Sequence, residues 1–108
     1  MTVKELAVAL DCNIVCMPDG NREVTGGYAG DLLSWVMGRA RSGDAWITIM
    51  SNLNIVAVAS LADPSCIILS EGVVPDEGVM QKASDVGVNI LSSSVDTFAL
   101  CASIAKLI

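Results

Sequence analysis

Apolar positions in this chain alternate between short unbroken runs and longer stretches with helical spacing. The runs at Asn13–Met17, Ala45–Met50, Cys66–Leu69 and Val88–Leu91 have the length of buried strands. Thr2 and Glu5 stand in capping-box relation, and Val3, Leu6, Ala7 and Leu10 repeat at helical spacing, predicting a first helix over about residues 3–10. Pro18-Asp19-Gly20-Asn21 supplies a tight turn. Leu32, Leu33, Val36, Met37 and Ala40 share one arc of a second helix beginning near Asp31, a natural N-cap, and Ser42-Gly43-Asp44 ends it. The stretch IVAVASLA, with Asn54 before it and Asp63-Pro64 after it, reads as a third helix, apolar nearly all round and so buried on both sides. Pro75 takes the first position of a fourth, with Val79, Met80, Ala83 and Val86 inward and Gly87 closing it. Ser93 or Ser94 caps a last helix running to about Leu107. Residues 21–30, with three glycines among their last five, give no regular assignment.

Continuous apolar strands separated by helices predict an α/β fold: a single mainly parallel sheet of about four strands with helices on both faces. At 108 residues the chain is expected to be one domain, residues 1–108.

Composition narrows the function. Apolar residues make up 53% and charged residues 17%, a surplus that implies either several helices covered on more than one side or a surface that meets another subunit. Net charge is -6, with no Lys/Arg cluster, which disfavours duplex nucleic acid and anionic membranes as partners. No apolar run is long enough to span a bilayer. Cys12, Cys16, Cys66 and Cys101 form no pair of CxxC motifs, and no signal-like segment opens the chain, so a cytoplasmic protein with reduced thiols is expected. With no histidine, the commonest general base near neutral pH is missing, as is any Ser-His-Asp or Cys-His device. Neither catalytic residues nor a cofactor or metal is expected.

Thr25-Gly26-Gly27 is the most specific local feature. Consecutive glycines let backbone N–H groups converge on an anion and Thr25 adds a hydroxyl, though tight chain reversal would use the same glycines. No Lys follows in a Walker arrangement. Ser51, Asn52 and Asn54 lie at one expected C-terminal strand edge and Ser70, Glu71 and Gly72 at the next, where parallel sheets usually bind ligands; a helix start would select the same residues.

From Glu23 to about Ile108 the chain resembles the DRTGG domain family. The motif here reads Glu23-Val24-Thr25-Gly26-Gly27, and the likeness continues through 28–37, 46–49, 54–61, 66–72 and 88–98. Two motif positions depart, Glu23 and Val24 standing for Asp and Arg. Such domains accompany CBS pairs and phosphotransacetylase catalytic domains, and a similar module precedes the catalytic part of HPr kinase. The resemblance implies a non-catalytic regulatory or scaffolding module that tends to dimerise. Trp35, Val58 and Leu61 are the expected interface residues, and an enzyme encoded nearby is a possible partner. The alternative is a sensor holding a nucleotide or other phosphorylated metabolite at Thr25, Gly26 and Gly27 together with Asn52, Asn54, Ser70 and Glu71.

Overall fold

The structure, a computed structural model, describes all 108 residues. The elements in chain order are α1 (Val3–Ala9), β1 (Asn13–Cys16), β2 (Gly26–Ala29), α2 (Leu33–Arg39), β3 (Asp44–Thr48), α3 (Asn54–Ala62), β4 (Cys66–Leu69), α4 (Val79–Val86), β5 (Ile90–Ser92) and α5 (Thr97–Leu107). The α/β class holds, with one sheet of five strands in the order β1-β5-β4-β3-β2. β2 to β5 pair parallel, and β1 pairs antiparallel with β5, Asn13 facing Ser92.

The central strands explain their own sequence. Along β4, Cys66 and Ile68 face one core while Ile67 and Leu69 face the other, so the strand is apolar at every position. β3 divides in the same way, Ala45 and Ile47 to one side and Trp46 to the other. α1 and α5 close the first side with Leu6, Leu100 and Ile104; α2, α3 and α4 close the second with Val36, Ile55, Val56, Val79 and Ala83. Trp46 is fully buried and its indole N–H donates to the Gly30 carbonyl at 2.9 Å, which satisfies the one polar atom of the largest core side chain.

The fifth strand is β2, within the glycine-rich stretch that gave no regular assignment. It has no apolar alternation because it is an edge strand, held by backbone pairing of Gly26–Ala29 with Asp44–Ile47. Several helix starts also differ. Asp31 does not cap α2: its Oδ1 accepts from the Thr48 hydroxyl at 2.7 Å and the Ile49 N–H at 3.0 Å. α4 starts at Val79, four residues after Pro75, and leaves Met80 and Val86 exposed. Asp96, not Ser93 or Ser94, caps α5 by accepting from the Ala99 N–H at 2.9 Å. α3 is flanked by α2 and α4 but not covered on top. Its inward residues Ile55, Val56, Val58 and Ala59 are buried, whereas Leu61 remains 74% exposed.

Candidate functional site

Two sets of residues singled out by the sequence lie at opposite ends of the sheet. Gly26 pairs with Asp44, the first residue of β3, whereas Asn52 and Asn54 follow Thr48 at its other end. Ser70 and Glu71 follow Leu69, which pairs with Thr48. A strand length, roughly 13 Å at about 3.3 Å per residue, therefore separates Thr25-Gly26-Gly27 from the other four, and no single crevice holds all seven.

At the C-terminal end the polar groups are spent on the protein itself. The Asn52 side chain accepts from the Asn54 N–H at 2.9 Å, forming a local turn at the start of α3. Ser70 is fully buried and shares a 2.6 Å hydrogen bond with the Thr97 hydroxyl. Glu71, in the left-handed region at φ 62, accepts from the Thr97 N–H at 2.8 Å, so it serves the start of α5 from another loop. Asp31 reaches the β3–α3 loop, Ser51 donates to Asp76 at 2.9 Å, and the Glu71 and Gly72 N–H groups donate to Val95 and Ser93 at 2.9 Å. Four successive loops are thereby latched to one another, and they turn large apolar side chains outward. Leu32, Ile49, Leu53, Val74, Val95 and Phe98 are all exposed here, Val74 at 76% and Phe98 at 86%.

The N-terminal end is built differently. Asn89, 2% exposed, accepts from the Asp19 N–H at 2.9 Å and donates to the carbonyls of Asp19 at 2.7 Å and Ser65 at 2.9 Å. The Ser65 hydroxyl binds the carbonyls of Glu23 and Gly43, fixing the chain as it enters β2. Arg22 donates to Asp63 Oδ1 at 2.8 Å and to the Asp63 carbonyl at 2.7 Å, and Ser42 donates to Asp63 Oδ2 at 2.6 Å. Those bonds, the guanidinium's first and the hydroxyl's second, hold the Asp63 carboxyl below the usual range.

Beside this scaffold lies a polar cavity of about 350 Å³ lined by Thr25, Gly26, Gly27, Tyr28, Arg39, Arg41, Ser42 and Asp44. Asp44 is buried and its Oδ2 accepts from the Arg41 backbone N–H at 2.8 Å. Its other oxygen lies 2.6 Å from where a Cβ on residue 26 would stand, so that position needs glycine for close approach. The Arg39 guanidinium lies 3.7 Å over the Trp35 ring. Neither arginine side chain nor the Thr25 hydroxyl makes a hydrogen bond or ion pair within the chain. Sequence reasoning found the Thr-Gly-Gly step but not these arginines, which reach it from the end of α2 and the turn into β3. Val24, at the motif's Arg position, is buried in the core at 4% exposure.

Trp35 is half exposed and Leu61 is exposed, whereas Val58, at 9%, packs inward against the sheet. Burial raises all four thiols from their ordinary value, Cys66 to about 12, so they are not activated nucleophiles. No three His, Cys, Asp or Glu side chains come together, and no helix is long and apolar enough to cross a membrane.

A mixed five-strand sheet between two helical layers defines a compact α/β module. The sequence matches the DRTGG domain family over residues 5–107, and the chain belongs to that family. None of the curated proteins matches it. A solved structure similar to it is that of the CBS and DRTGG domains of the regulatory region of Clostridium perfringens pyrophosphatase, complexed with the activator diadenosine tetraphosphate. The two share 13% identity with a TM-score of 0.77 over 97% of this chain and 46% of that one. This chain thus spans less than half of that structure's length, and the likeness is one of fold.

Proposed function

We propose that this chain is a non-catalytic regulatory domain that works as a homodimer through protein contacts. The observation that carries the reading is the apolar rim at the C-terminal end of the sheet. Leu32, Ile49, Leu53, Val74 and Val95 project from loops, and Phe98 from the first turn of α5, at a rim whose polar groups already bind each other. Such a surface offers little to a polar ligand and much to a second apolar surface. A second copy is the occupant chosen because six side chains at these exposures amount to several hundred Å² per protomer, approaching the roughly 800 Å² that each partner of a standard interface buries. Trp35 and Leu61, on the helical side, form the competing surface. A domain of this kind belongs in the cytoplasm with its thiols reduced, passing its signal to a partner such as an enzyme encoded nearby.

Sedimentation at micromolar concentration tests the reading. The native chain is expected to dimerise and the Val74→Ser/Phe98→Ser variant to be monomeric with its fold intact. A monomeric native chain would refute the homodimer, and a dimer broken only by Trp35→Ala/Leu61→Ser would move the interface to the helices.

One observation favours a second reading, a sensor of nucleotides or other phosphorylated metabolites. Thr25, Arg39 and Arg41, whose side chains make no hydrogen bond within the chain, line one cavity, and the similar pyrophosphatase region is one complexed with a nucleotide.

A further inference from the structure

We propose that Arg39, Arg41 and Thr25 form a binding site for the diphosphate group of a small molecule at the N-terminal end of the sheet. The proposal rests on the sensor reading and confines it to this end, without Asn52, Asn54, Ser70 or Glu71. Those four lie a strand length away, and Asn52, Ser70 and Glu71 are already engaged in hydrogen bonds.

Three features converge on an anion. First, the two arginines that line the cavity make no ion pair with a carboxylate, in a chain whose net charge is -6. Planar N–H forks suit phosphate oxygens, which they can bind in bidentate fashion. Second, Thr25 lines the same cavity and its hydroxyl has no internal hydrogen-bond partner, while the nearby Ser42 hydroxyl is occupied by Asp63. Third, Asp44 is the one carboxylate among the lining residues and one of its oxygens is held by the Arg41 N–H, so the lining carries two cationic residues against one anionic residue. The volume of about 350 Å³ exceeds what one phosphate needs and lies at the small end of ligand pockets. The stacking of Arg39 on Trp35 supplies a signal, because a ligand that draws Arg39 into the cavity changes the surroundings of an exposed tryptophan. Trp46, fully buried, provides a constant background.

The test is titration of the full chain with inorganic pyrophosphate, ADP and, as a control, acetate at matched ionic strength, followed by calorimetry and Trp35 fluorescence. Pyrophosphate and ADP are expected to bind saturably and acetate not. Arg39→Gln and Arg41→Gln, both at exposed positions, should each weaken binding by roughly tenfold or more, as loss of a charge-assisted hydrogen bond implies. Thr25→Val should weaken it less. Failure of pyrophosphate to bind overturns the site. ADP binding that survives Arg39→Gln/Arg41→Gln also overturns it but leaves a sensor with another pocket; absence of binding by both probes removes this site together with the sensor reading for diphosphates. Sedimentation of the same samples keeps the homodimer question separate.

Discussion

The two ends of the sheet use their polar groups in opposite ways. At the C-terminal end, where parallel sheets usually bind ligands, Asp31, Ser51, Asn52, Ser70 and Glu71 bind neighbouring loops and helix starts. Apolar side chains such as Val74 and Phe98 are left to face out. At the N-terminal end, Asn89, Ser65 and Arg22 do the internal holding, and Thr25, Arg39 and Arg41 stay unspent. A residue's position in a fold therefore says less about ligand binding than whether its donors and acceptors already have partners.

Substitutions at three positions test how that holding is distributed, each read by urea unfolding. Asn89→Ala has the largest expected effect, a loss of about 3 kcal/mol, because one buried amide serves three backbone groups and leaves them unpartnered when removed. The C-terminal rim spreads its bonds over several residues, so single losses there should be smaller. Glu71→Ala removes the bond to the Thr97 N–H while keeping a side chain in the left-handed region, and should cost about 1 kcal/mol. Glu71→Gly removes the same bond but relieves the backbone, by about 1 kcal/mol, so it should unfold close to the native chain. If Ala and Gly behave alike, the conformational half of the argument fails.

Asp63→Asn is the mildest case. Residue 63 has φ 63, which Asn tolerates as Asp does, so the change removes the charge that Arg22 and Ser42 bind without altering the backbone. The ion pair with Arg22 is partly exposed, and a few tenths of a kcal/mol is the expected loss near neutral pH. Because folding lowers the Asp63 pKa, its contribution is present above the ordinary carboxylate value and fades as pH falls through the folded one. The native chain and the variant should therefore converge in acid, below about pH 4. A difference that grew in acid would show that the charge is not what Asp63 contributes.

Local signals made much of the fold legible. Thr2 and Glu5 form the capping box their spacing implies, the unbroken run at Cys66–Leu69 is a strand buried on both faces, and Gly87 ends α4. What was hidden depends on partners far along the chain. β2 is a strand only because β3 offers it a backbone edge, which no side-chain pattern in Gly26–Ala29 announces. Asp31 could cap a helix or reach Thr48, and only the assembled sheet selects the second. The sequence separated Thr25 from Arg39 and Arg41, and the pairing of β2 with β3 brings them together. Val58 and Leu61 look equivalent in an apolar run, yet helix rotation puts one inward and the other in solvent.

The antiparallel pairing of β1 with β5 also constrains the order of folding. Asn13 meets Ser92, and Ile14 meets Leu91, about three quarters of the chain apart. β1 is made early by a ribosome, yet its only neighbour in the sheet is the last strand to emerge. During synthesis it has no strand to pair with until β5 is made, a long-range closure of the kind that slows folding. The edge of the sheet that appears first in the sequence thus cannot be completed before the last strand is made.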